Sequence, residues 1–166
     1  MRLTLERLSK QFKNRIAVEN VNAELTEGIY GFLGANGAGK TTLMQMICGI
    51  IAPTAGEVKV NGKNNTEMGE EFRDLLGYLP QEFGYTPGFT AEDFMFYIAS
   101  VKGLDPRYAK RRTRELMELV SLEGDMKRKI RTFSGGMKRR LGIAQALLND
   151  PKILIMDGPT AGLDPK

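Results

Sequence analysis

GANGAGKTT, residues 34–42, follows the apolar run Ile29, Tyr30, Gly31, Phe32, Leu33 and opens onto a helix-like stretch at 43–50. Two glycines five apart, Gly34 and Gly39, then Lys40 and Thr41, make a P-loop pattern in the strand, loop, helix context that it requires. Gly34, Gly37 and Gly39 let the backbone fold tightly enough for successive N–H groups to point at one anion. The helix that follows adds the positive end of its dipole. The expected guest is phosphate, with Lys40 as a mobile cation for the β- and γ-phosphates and Thr41 as a hydroxyl for magnesium. A plain glycine-rich turn would not need Lys-Thr after its last glycine.

At 166 residues the chain suits one domain, or one compact domain with a small lobe, and can bury a real core. Its hydrophobic and charged fractions, 42% and 27%, suit a soluble globular protein and argue against disorder. Hydrophobic runs, the longest around residues 153–156, fall far short of the roughly 20 apolar residues of a membrane helix. No cleavable signal is read in residues 1–11, which alternate like a strand. The single Cys48 forms no internal disulfide and agrees with a reducing cytoplasm. The absence of His removes the commonest general base and metal ligand.

The net charge of +4 is modest, but basic residues cluster at 110–114, 127–131 and 138–140. These runs could steer nucleotide or lie near anionic lipid. Interleaved Glu115, Glu118, Glu123 and Asp125 favour a solvated helix face instead. Nucleic-acid binding gets little support.

Residues 2–8 read as a strand, with Leu3 and Leu5 on one face before a slip; 16–18 and 21–25 read as further strands after a turn at 13–15, an antiparallel start. Phe12, beside that turn, is an aromatic that either packs in the core or, by its position, stacks on adenine. After the P-loop helix come a turn at 52–56, a strand to Val60, a tight Asn61-Gly62 turn, a short polar helix at 67–73 and a strand at 75–79 running into Pro80 and Gln81. From 91 to 131 the period is helical, with Thr90 and Asp93 as a cap and Gly103 and Pro106 separating two helices. Ser134 or Thr132 can cap a further helix that opens on Gly135 and Gly136. Two glycines there are costly for a helix unless something approaches the backbone closely. Pro151 stops that helix, and the strand at 152–156 delivers Asp157 at its carboxyl end, where a carboxylate beside a P-loop anchors magnesium. The expected fold is α/β: a P-loop NTPase core at 1–90 and 132–166, with an antiparallel β start and an inserted helical lobe at 91–131.

Five motifs stand in one order: GANGAGKTT, Gln81 after a strand, FSGGMKRR at 133–140, ILIMD at 153–157 and AGLD at 161–164. Together they resemble the nucleotide-binding subunit of an ATP-binding cassette (ABC) transporter, exporter-like, over the whole chain. Ser134, Gly135 and Gly136 match the family's signature motif, with Met137 where Gln is more usual. The resemblance implies ATP and Mg2+ as ligands. Phe12, Gly34, Asn36, Gly37, Gly39, Lys40, Thr41 and Thr42 would bind nucleotide, and Thr41, Gln81 and Asp157 would serve the metal. Gln81 and Lys40 would also act in catalysis. It further implies a head-to-tail dimer with a second nucleotide-binding subunit, in which Ser134, Gly135 and Gly136 of one copy cover ATP held by the other, and Asp164 communicates across the pair. The resemblance also implies a separate transmembrane permease as partner and a cytoplasmic location, peripheral at the inner face of the cell membrane.

Two departures temper that expectation. The family places Glu, the base that polarises the attacking water, directly after the Asp of ILIMD, and this chain has Gly158. Loss of a positioned base removes about 10²–10⁴-fold in rate while leaving phosphate binding largely in place. Family members also continue beyond the point matching Lys166 with a strand and a switch histidine, the strand lying between the P-loop strand and that of ILIMD. The expectation is a C-terminally truncated cassette that binds ATP, hydrolyses it poorly and is marginally stable, with two strand edges unpaired. The competing reading is a non-hydrolysing ATP-binding module or inactive remnant. DNA-type ABC ATPases insert a long coiled coil where only 94 positions separate Lys40 from Ser134, and ribosomal ones carry two cassettes.

Overall fold

Alternating Leu3, Leu5 and Leu8 bury one face of a first strand, β1 (Leu3–Phe12). In the computed structural model, which describes residues 1–82 and 84–158, the chain forms two compact units, Met1–Arg73 and Asp74–Lys166. β1 pairs antiparallel with β2 (Arg15–Leu25) and with β3 (Ala55–Val60), and β4 (Lys63–Asn64) completes a sheet of order β2-β1-β3-β4. The slip after Leu5 is a bulge: Arg7 adopts φ 47 and the register with β3 shifts between Glu6 and Ser9. Gly56 faces it, and a Cβ there would lie 2.3 Å from the carbonyl oxygens of Glu6 and Arg7.

The two strands expected at 16–18 and 21–25 are one. Asn20 takes φ 46, and side chains replace the ladder bonds this irregularity breaks. Ser9 Oγ accepts from Asn20 N at 2.9 Å and Asn22 Oδ1 accepts from Arg7 N at 2.9 Å. Asn61 and Gly62 both have positive φ, 49 and 84, as a two-residue hairpin with right-handed strand twist requires. The polar helix expected at 67–73 starts later, as α2 (Glu70–Leu75), after α1 (Lys40–Ile47) earlier in the chain. Buried Asn65 donates to the carbonyls of Met46, which also accepts the Gly49 amide, and of Ile47 at the end of α1.

Residues 29–33, expected as the strand feeding the P-loop, form no strand. Ile29 and Leu33 are fully exposed. An apolar run becomes a strand only where a neighbour completes its ladder, and among the described residues none pairs with this one. The local contact is instead Tyr30, whose hydroxyl accepts from Thr26 N at 3.1 Å.

The second unit pairs β5 (Leu76–Leu79) with β6 (Ile153–Met156) in parallel, Leu76 opposite Ile153 and Leu79 opposite Met156. Between them lie α3 (Ala91–Val101), α4 (Pro106–Leu119) and α5 (Gly135–Ala146). Phe94, Met95, Leu116, Met117, Leu141 and Leu148 meet in one core. Thr90 and Asp93 form the expected capping box, each side chain accepting the other's amide at 3.1 Å. Two of the basic runs carry ion pairs: Arg112 with Glu115 and Asp150, Arg128 with Asp125.

α5 lies tightly on β5. A Cβ on Gly77 would stand 2.1 Å from the carbonyl oxygen of Ala146. The carbonyls of Leu75 and Leu79 accept the amides of Lys152 and Asp157. Those of Leu76 and Tyr78 point to the other edge, since a strand turns alternate residues to opposite sides. That edge is closed by side chains from α5 and the turn after it: Asn149 to Asp74 and Leu76, Gln145 to Tyr78, Arg139 to Pro80. No further strand is needed there to satisfy these acceptors.

Candidate functional site

Within the first unit the P-loop has the backbone its glycines predict. Gly37 and Gly39 take φ 81 and 86, and Gly39 caps α1. A Cβ on Gly39 would fall 2.0 Å from the carbonyl oxygen of Ala17, so β2 and the loop touch backbone to backbone. Lys40 Nζ donates to the carbonyls of Gly34 and Ala35 at 2.6 and 2.7 Å, curling its side chain back over the loop. Thr41 and Thr42 follow in the first turn, where the leading N–H groups of a helix lack helical partners. Asn36 is exposed in the loop. Arg15, which the sequence had not singled out, donates from Nη2 to the carbonyl of Gly37 at 2.9 Å. Phe12 ends β1 with 48% of its surface exposed and the Lys10 ammonium 5.2 Å from its ring centroid. An exposed ring and a glycine loop leading into a helix N-terminus suit a base and its phosphates.

Within the second unit, Ser134 Oγ caps α5 by accepting from Met137 N at 3.2 Å, and Gly135 and Gly136 have no atom within 4 Å of where a Cβ would be. Among the described residues, therefore, their bareness serves no packing. Gln81 is exposed just after β5. Asp157 follows β6 with 5% exposure, its amide donating to Leu79 O at 2.9 Å. Its Oδ2 is buried with no hydrogen-bond partner among the described residues. An orphaned carboxylate oxygen fits a hard cation such as Mg2+. Gly158 takes φ 60.

Arg139 is the residue sequence reasoning missed. It is 5% exposed, and its guanidinium donates to Pro80 O at 3.0 Å, Asp157 O at 2.8 Å and Gly158 O at 2.5 Å. Burial pulls its pKa below the ordinary arginine value, with the Asp157 charge opposing that shift. It stays cationic all the same. The available signal was geometric: three basic residues in a row span more than half a helical turn, so they cannot all share the solvent face. Ala161 to Asp164, with the Asp164 reading, lies outside the described residues.

The loop and the signature helix occur in a chain whose residues 18–161 match a family model described as ABC transporter. The chain belongs to that family. It is 40% identical over 164 residues to the uncharacterized ABC transporter ATP-binding protein YxlF of Bacillus subtilis, covering 98% of this chain and 54% of that protein. The bacitracin transport ATP-binding protein BcrA of Bacillus licheniformis is 39% identical over 159 residues, 95% of this chain and 51% of its own length. Among solved structures, the dimeric MJ0796, a bacterial ABC transporter cassette, superposes with a TM-score of 0.86 at 30% identity, over 98% of this chain and 76% of that one. The chain spans about half the length of these curated relatives. ABC ATP-binding proteins bind ATP, typically with Mg2+, typically dimerise, and work with membrane components of transporters. No described helix of this family member is long and apolar enough to cross a membrane.

Proposed function

We propose that this chain is the ATP-binding, energy-coupling part of an ABC transporter, acting with a separate transmembrane permease at the cytoplasmic face of a membrane. The observation that carries this is the P-loop: left-handed Gly37 and Gly39 ahead of α1, with Lys40 folded over the loop carbonyls. Nucleotide phosphates would draw Lys40 off Gly34 and Ala35, since a charge-assisted bond to phosphate outcompetes one to a neutral carbonyl. Phe12 would stack on the base, and Gly34, Asn36, Gly37, Gly39, Thr41 and Thr42 would surround the phosphates. Bound Mg2+ would neutralise charge developing on the phosphates, and Thr41, Gln81 and Asp157 are the residues that would hold it. Bare Gly135 and Gly136 suit a nucleotide on a second, head-to-tail copy. The reading divides the chain into a core at 1–90 and 132–166 and a helical lobe at 91–131.

Hydrolysis would be slow, because Gly158 offers no carboxylate to polarise water. The alternative, an ATP-binding module without useful turnover, rests on that same residue. Equilibrium dialysis with ATP, combined with steady-state phosphate release, tests both. Saturable binding that falls at least about 100-fold in Lys40→Ala, with turnover about 10²–10⁴-fold below that of a cassette carrying the glutamate, is expected. Absence of binding in the native chain would overturn the proposal.

A further inference from the structure

We infer that Arg139 is a positioning residue that binds the signature helix to the two strand ends carrying Gln81 and Asp157. The inference rests on the function proposed above for the meaning of those two residues, but not for the strut itself.

Three observations in the second unit carry it. First, the acceptors are backbone carbonyls at functional junctions: Pro80 directly precedes Gln81, Asp157 is the candidate metal anchor, and Gly158 stands where the family has its base. Secondly, the donor is a planar fork whose Nη1 reaches one strand end while its Nη2 reaches the other, so one rigid group sets their separation. Thirdly, Arg139 lies in the second turn of α5, five residues from Ser134, and is buried. A buried cation is retained only where such acceptors compensate its desolvation. Gln145 and Asn149 hold the same edge of β5 further along, but neither reaches β6.

The consequence is mechanical. Any push on Ser134 to Gly136, from a second copy or its nucleotide, moves α5. Through Arg139 it also moves the backbone at Pro80 and Asp157 of the same chain. The signature motif would thereby report on the metal anchor of its own subunit, in addition to covering nucleotide on the other.

Hydrogen exchange on the full chain tests the strut without any ligand. Arg139→Lys keeps the charge but loses the fork. It is expected to speed exchange in peptides covering 79–82 and 156–158 by at least about tenfold, leaving α3 and α4 at native rates. Arg139→Gln, which can still reach one strand end, should give an intermediate change. ATP affinity is then measured in EDTA and in Mg2+. Both variants should bind ATP natively in EDTA and lose most of the gain that Mg2+ confers. Native exchange at both segments in Arg139→Lys overturns the strut, as does uniform acceleration across α3, α4 and both segments. An equal loss of affinity with and without Mg2+ overturns its link to the metal anchor. If the native chain gains nothing from Mg2+, the functional reading of Asp157 fails, while the exchange result still decides the strut.

Discussion

Gly158 shows how one residue can carry both a chemical and a conformational constraint. Its φ of 60 lies where a side chain is strained, and its carbonyl is held by Arg139. A glutamate here would therefore cost about 1–3 kcal/mol and would leave the backbone in a conformation it does not favour. Gly158→Glu is expected to lower stability and to recover only part of the rate a positioned base contributes. Gly158→Ala should show the same stability loss with no change in turnover. Phosphate-release assays and thermal melts on the two variants check this, and full recovery of turnover at native stability in Gly158→Glu would refute it.

At the scale of elements, α3 is set by its capping box and α5 by what it must cover. Asp93 has its pKa lowered by hydrogen bonding from Thr90, the hydroxyl first and the amide second. A carboxyl depressed in the folded state stabilises above its unfolded pKa of about 3.9, and that contribution is lost as pH falls through the lower folded value. The urea midpoint of the native chain should accordingly fall between pH 5 and pH 3 by more than that of Asp93→Asn, which lacks the titrating group; equal slopes would remove the capping box from the acid response. α5 belongs to a different logic. Its Gly142 and Ala146, the close approach at Gly77, and the Arg139, Gln145 and Asn149 donors let a helix and its terminal turn close the edge of β5.

At the scale of the whole molecule, the candidate site residues fall in two units, the P-loop in Met1–Arg73 and the signature helix with Gln81 and Asp157 in Asp74–Lys166. Nucleotide held by the loop should stabilise the unit that contains it. At free ATP a hundred times its Kd the gain is about 2.7 kcal/mol. Exchange-detected unfolding in EDTA with ATP is expected to protect α1 and the β1–β3 sheet, and Lys40→Ala should abolish that protection. Protection confined to the second unit would contradict the assignment.

The sequence by itself determined what depends on neighbours in the chain. Glycine spacing set the P-loop backbone, Asn61-Gly62 set a hairpin, Thr90 and Asp93 set a cap, and the order of motifs set the family. Each rests on local dihedrals or hydrogen bonds within a few residues. Only the tertiary structure decided the fate of 29–33, whose strand-like pattern finds no ladder partner among the described residues, and of 16–25, where Ser9 and Asn22 carry one strand through an irregularity. It alone decided Arg139, because a cation's role depends on which carbonyls face it, and those carbonyls lie 59, 18 and 19 residues away in sequence. Periodicity reports which side of an element is buried, whereas the identity of the group buried against it is fixed only when distant segments meet.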